Sequence, residues 1–135
     1  MIEYREFGAE LSEQIKRVYE DSGWKAYLGD DEKLIRAFER SVYVYGAFDG
    51  EKLIGFVRCV GDGEHIIIVQ DLIVMTGYRG RGIGKTLFQS ACGKFRNVRM
   101  FALFTDTADE RSNGFYDSLG MKPVELGGMT AYFRK

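Results

Sequence analysis

The residues most suited to chemistry lie between positions 77 and 86, GYRGRGIGKT. This stretch places four glycines, two arginines and one lysine within ten residues. Gly80, Gly82 and Gly84 let a backbone turn sharply and come close to a ligand. A helix following such a turn begins with N–H groups that lack intrahelical acceptors and with the positive end of its dipole. Arg79, Arg81 and Lys85 add positive charge, so a pyrophosphate is the natural guest. Two familiar phosphate loops fail on spacing. The nucleoside-triphosphate loop needs glycine at position 79, where Arg79 stands. The dinucleotide turn needs glycine at 85 or 87, where Lys85 and Leu87 stand. A glycine-rich turn with solvated charges is the plainer alternative.

The elements around this loop follow from residue patterning. IEYREF (2–7) reads as a strand, and Leu11, Ile15, Val18 and Tyr19 follow at helical spacing. Asp30 or Asp31 caps a second short helix bearing Leu34, Ile35 and Phe38. VYVYGAF (42–48), KLIGFVRCV (52–60) and EHIIIVQDLIVM (64–75) are strands joined by tight turns at Asp49-Gly50 and GDG, which makes an antiparallel meander. The glycine loop leads into a helix with Ile83, Leu87, Ala91 and Phe95 on one face. VRMFALF (98–104) reads as a buried strand. Thr107 and Glu110 read as a capping box opening a helix with Phe115, Tyr116 and Leu119, which Gly120 stops. GMTAYFRK (128–135) reads as a closing strand. The pattern predicts a single α/β domain over residues 1–135, with a mixed, mostly antiparallel sheet and helices on both faces.

Composition narrows the function classes. The 135 residues are 45% hydrophobic, with 19 basic and 20 acidic side chains, which argues against a general nucleic-acid surface. No run approaches the roughly 20 apolar residues of a membrane span, and the first residues have no signal-peptide core. Cys59 and Cys92 lie far apart and read as reduced core thiols. A single histidine, His65, gives no metal site. A cytoplasmic protein without metal is expected.

Arg79-x-x-Gly82-x-Gly84, preceded by DLIVMTGY, resembles the acyl-CoA motif of the GNAT superfamily of N-acyltransferases. FYDSLGM (115–121) is similar to the same family's tyrosine and Leu-Gly-Phe segment. The longer stretches DGEKLIGFVRCVGDGEH, QDLIVMTGYRGRGIGKTL and ALFTDTADERSNGFYDSLGM resemble the branch that includes serotonin N-acetyltransferases and related protein-lysine acetylases.

The resemblance implies an enzyme, an N-acetyltransferase using acetyl-CoA. The pyrophosphate would rest on Gly80, Arg81, Gly82, Ile83, Gly84, Lys85 and Thr86, beside Arg79. Leu72, Ile73 and Val74 would bulge or splay at the end of the fourth strand and pair with the pantetheine arm, the fifth strand (98–104) diverging to open the slot. Tyr116 takes the family's position for the acid that protonates the departing thiolate. The positions where some members carry a base on the fourth strand hold Ile68 and Gln70. That leaves Asp71 as the nearest acid, provided a bulge turns it toward Gln70. Glu64, His65 or an amine arriving neutral are the other choices. Asp109 stands where many members have asparagine, and Asn113 is nearby.

The loop YEDSGWKAYLGDDEK (19–33) would roof the acceptor. Trp24, Tyr27 and Tyr19 offer aromatic surface, while Asp21, Asp30, Asp31 and Glu32 offer negative charge. With Gln70 these suit a small amine of aralkylamine or polyamine type. The plainer alternative is that the acids cap a helix and face water, with Trp24 in the core. Transfer to protein lysine and a non-catalytic acyl-CoA sensor are the competing functions. The family's habit of pairing through its later strands implies a homodimer, with GGMTAYFRK as the partly apolar edge.

Overall fold

The computed structural model describes all residues from Met1 to Lys135. They fall into two compact units, Met1–Leu103 and Phe104–Lys135. The first unit contains the whole sheet: β1 (Ile2–Glu6), β2 (Tyr43–Asp49), β3 (Lys52–Gly61), β4 (Ile66–Val74) and β5 (Met100–Leu103), in the order β1-β2-β3-β4-β5. The first four strands run antiparallel, and β5 joins β4 in parallel. The α/β reading and the antiparallel meander both hold.

Three helices cover this sheet. α1 (Ser12–Ser22) and α2 (Asp31–Glu39) pack on one face, and α3 (Ile83–Lys94) on the other. Alternation along β2 shows the two faces. Val44 joins the core of Ile15, Val18, Tyr19, Leu34, Phe38, Phe48, Phe56 and Ile73 under α1 and α2. Its neighbour Tyr43 meets Ser90 of α3 at 2.6 Å and the ring of Phe95 edge-on. Phe56 is fully buried and has the rings of Phe7, Tyr19 and Phe38 edge-on around it. Each large apolar side chain so buried contributes about 1.5–3 kcal/mol.

Local signals set the helix ends. Asp30 caps α2, its carboxylate accepting from the Lys33 amide at 3.1 Å. In the second unit, α4 (Glu110–Ser118) is capped by Asp109, which accepts from the Ser112 amide at 3.0 Å. The expected capping box on Thr107 is therefore displaced by two residues, because a carboxylate two positions on reaches the first-turn amides directly. Gly120, at φ 87°, ends α4. Its amide donates to Asp117 and the Met121 amide to Tyr116, the paired bonds of a Schellman motif.

Two strands differ from expectation. β5 is confined to Met100–Leu103, and its residues are half-buried rather than buried. Residues 128–135 form no strand. They follow a 3-10 turn, Val124–Gly127, and no neighbour supplies a backbone ladder. Without one, the alternating pattern of MTAYFRK has nothing to pair with, and Tyr132 and Phe133 are exposed.

Candidate active site

β5 leaves β4 early. Their pairing runs from Ile66–Met100 to Val69–Leu103 and stops, whereas β4 continues to Val74. Residues 70–74 are therefore paired only on their β3 side. The Met75 amide donates to Ile54 at 2.8 Å on that side. In an antiparallel pair, successive residues turn their backbone groups alternately toward and away from the partner. Leu72 and Val74 thus turn theirs to the open edge. Ile73 turns its own to β3 and its side chain into the core. Of the three residues expected to receive the donor's arm, two present backbone groups to the open edge. Of the bulge or splay expected at 72–74, the divergence of β5 is there, and the bulge lies earlier. The register passes from Arg58–Asp71 to Cys59–Val69 and leaves Gln70 over.

The open edge leads into the glycine loop. Gly80 and Gly82 both adopt φ 79°, and Gly82 is the N-cap of α3, with no side chain closing the helix start. A left-handed residue there aims the first-turn amides of Ile83, Gly84 and Lys85 outward. Gly84 lies in the helix itself and needs no special conformation. Thr86 returns both its amide and its hydroxyl to Gly82 O, at 3.0 Å each. The side chains of Arg81 and Lys85 are exposed, and Arg81 also lies over the ring of Tyr78.

Arg79 does not simply face an anion. Its Nε donates to Val74 O at 3.1 Å and its Nη2 to Ser22 Oγ at 3.1 Å. Asp21 accepts from the Thr76 amide at 2.7 Å. Both contacts fasten the loop to the end of α1.

The bulge organises the acceptor side. With Gln70 left over, Gln70 and Asp71 face the same cluster. Gln70 Nε2 donates to Tyr27 Oη at 3.2 Å. The Tyr27 ring stacks on Tyr19 at 4.5 Å, and Trp24 stacks on Tyr19 at 6.1 Å. Trp24, Tyr27 and Gln70 are thus brought together through Tyr19. Trp24 is exposed rather than core, and Tyr19 is fully buried rather than surface. Three of the four acids expected beside them make contacts of their own: Asp21 with Thr76, Asp30 as a cap, and Asp31 with Lys16 at 3.0 Å. The fourth, Glu32, is exposed in the first turn of α2.

Asp71 is sealed, at 1% exposure. Its Oδ2 accepts from Arg58 Nε at 2.6 Å and from Tyr19 Oη at 2.8 Å, while its Oδ1 is buried without a hydrogen-bond partner. Arg58 Nη1 also donates to Ser41 Oγ at 3.2 Å, and its guanidinium lies over the rings of Tyr27 and Phe38. Burial alone would lower the Arg58 pKa, but the Asp71 carboxylate outweighs it and the net direction is up. Burial, then the Asp71 charge, holds the Tyr19 phenol far above its ordinary value. Burial also raises Tyr27, against the Gln70 hydrogen bond and with the Asp71 charge. Sequence reasoning passed over Arg58. The signal was an arginine inside the apolar run LIGFVRCV facing an aspartate inside IVQDLIV.

In the second unit, Tyr116 lies in the last turns of α4, half-buried, with the Phe115 ring edge-on at 5.1 Å. Burial, reinforced by Asp109, pushes its phenol up to about 12. Asn113 holds the preceding loop, donating to Asp106 O at 3.0 Å. No group of three or more His, Cys, Asp or Glu is arranged to hold a metal, and no helix is long and apolar enough to cross a membrane.

An unpaired strand edge running into an uncapped glycine-rich helix start has the chemistry to suit a ligand with an extended arm and a phosphate end. The chain belongs to the Acetyltransferase (GNAT) family, whose model matches residues 6–121. Serotonin N-acetyltransferase 2, chloroplastic, of Oryza sativa is 31% identical over 110 residues. That alignment takes in 76% of this chain and 54% of the rice protein, so the chain spans about half the length of that curated relative. A GNAT-family acetyltransferase from Streptococcus pneumoniae superposes with TM-score 0.84 at 32% identity, covering 100% of this chain and 96% of that one. The PaiA N-acetyltransferase of Thermoplasma acidophilum, solved with coenzyme A, shares the fold at TM-score 0.75 and 23% identity, with 90% of each chain covered.

Proposed function

We propose that this chain transfers an acetyl group from acetyl-CoA to the primary amine of a small molecule, by direct attack while donor and acceptor are bound together. The observation that carries this reading is the β4 edge left open beyond Val69 and continuous with the bare start of α3. An extended pantetheine arm can pair with Leu72 and with the Val74 amide, and its pyrophosphate can take the amides of residues 81–85, the expected sixth, that of Thr86, being bonded to Gly82 O. Arg81 and Lys85 supply exposed positive charge. Arg79 acts mainly by shaping the loop.

The acceptor is proposed to lie against Trp24, Tyr27 and Gln70. The exposed Trp24 ring beside the half-buried Tyr27 offers an aromatic surface that fits an amine with an aromatic body. The amine nitrogen attacks the thioester carbonyl, the C–S bond breaks, and CoA leaves as thiolate. Tyr116 is the proposed proton donor to that sulfur. Its motif position and a phenol held protonated support the role. Asp71 is too buried to touch the amine itself, so its proposed part is the inner end of a proton path through Tyr27. An Asp71→Asn variant should then shift the pH profile of kcat/KM, and an unshifted profile would clear Asp71 of the role.

The exposed side chains of Leu126, Met129, Tyr132 and Phe133 support a second copy of the chain as partner. A cytoplasmic location is part of the proposal, and the free thiols of Cys59 and Cys92 are in keeping with it. The function is tested by CoA thiol release from acetyl-CoA against arylalkylamines, polyamines, amino sugars and lysine peptides. Release with arylalkylamines is expected. Release only with lysine peptides would redirect the assignment to protein acetylation. Tight CoA binding without release in any of them would point to a sensor.

A further inference from the structure

We infer that Arg58 is a positioning residue for the acceptor, acting through the β4 bulge. The inference rests on the transferase reading above. Arg58 stands opposite Asp71 at the step where the register skips Gln70. Its Nε holds Asp71 Oδ2 at 2.6 Å on β4, and its Nη1 holds Ser41 Oγ at 3.2 Å. Ser41 is in turn bonded to Ala37 O of α2 at 2.8 Å. The faces of the guanidinium carry the rings of Tyr27 and Phe38. One planar side chain thus joins β3, β4, α2 and the segment that bears Tyr27.

A regular β4 would alternate, sending Gln70 and Asp71 to opposite faces. The extra residue puts both on one face, which is what lets Gln70 reach Tyr27 while Asp71 binds Tyr19. A bulge leaves one residue without a ladder partner and needs side-chain contacts to stay where it is. The Arg58–Asp71 pair, both members almost fully buried, supplies them at the bulge itself. Buried ion pairs add little net stability against apolar replacements of equal volume, and their best-attested use is to fix register. Asp71 Oδ1, buried with no hydrogen-bond partner, argues the same way: the carboxylate is oriented by Arg58 and Tyr19 on one oxygen, not by a fully matched polar shell.

Arg58→Lys is the informative variant. It keeps a cation beside Asp71 but cannot hold Asp71 and Ser41 together in a planar fork. The expected result is a KM for the arylalkylamine that the wild type accepts raised at least about tenfold, with a much smaller change in the acetyl-CoA Kd of the free enzyme, because Gln70 and Tyr27 are held through Asp71 and Tyr19 while the glycine loop has its own contacts to Asp21 and Ser22. Should that variant not fold, Arg58→Met combined with Asp71→Leu replaces the pair by apolar side chains. It is read on acceptor binding and acetyl-CoA Kd only, with the same expectation. An unchanged acceptor KM, or a donor Kd that moves as much as the acceptor term, would overturn the inference. A wild-type chain that releases no thiol with any amine would remove the transferase reading and this inference with it. An active wild type with an indifferent Arg58 variant would remove the inference alone.

Discussion

At the scale of single residues, Tyr116 carries the sharpest test. A phenol that donates to a leaving thiolate must hold its proton at working pH. Burial in the second unit, with Asp109, lifts its pKa to about 12. The sign is simple: a raised phenol stays neutral at every pH below that value. The rate should therefore show no basic-limb loss from this group below about pH 11. Tyr116→Phe should lower kcat about a hundredfold, as expected for one general acid, with little change in acetyl-CoA KM. An unchanged kcat in the thiol-release assay would remove the assignment. The loop glycines were legible from their spacing, whereas Tyr116 came from the resemblance of FYDSLGM to the family's segment. Arg58 was not legible, because a lone arginine within a strand reads as an edge charge until its partner across the ladder is known. Asp71 was found only as the nearest acid, and the bulge that turns it inward leaves no mark in residue type.

Among the elements, the α3 start shows how backbone conformation makes the donor site. Gly82 caps the helix at φ 79°, and a methyl group added there would meet nothing within 4 Å. Gly82→Ala is thus a test of conformation without steric crowding. Forcing alanine into the left-handed region costs about 1–2 kcal/mol. The melting temperature should fall, and acetyl-CoA should bind more weakly as the first-turn amides rotate off target. Equal donor affinity would mean that the amides are not the phosphate seat. The helices, the meander and this loop could be read from periodicity and glycine spacing, since those signals are local. The short β5 and the irregular residues 128–135 could not. A strand exists only where another backbone accepts its hydrogen bonds, and a hydropathy pattern does not name that partner.

For the molecule as a whole, the exposed C-terminal side chains bear on assembly. Tyr132 and Phe133 are 91% and 88% exposed, and Leu126 lies close by in sequence at 73%. We expect sedimentation at micromolar concentration to give twice the monomer mass. Tyr132→Ser with Phe133→Ser should restore the monomer while leaving each chain folded. A monomeric wild type would contradict the pairing.

The staples at the end of α1 reach further than the loop they hold. Ser22 and Asp21 grip the donor loop, and Tyr19, three residues before Ser22, underlies the aromatic rings of the acceptor wall. Residues three apart share one side of a helix. If the proposed sites hold, donor and acceptor both lean on a single turn of α1, and the affinity of either would be linked to occupancy by the other. Such linkage is reciprocal: a bound cosubstrate would tighten the grip on the amine by the same factor as a bound amine tightens the cosubstrate.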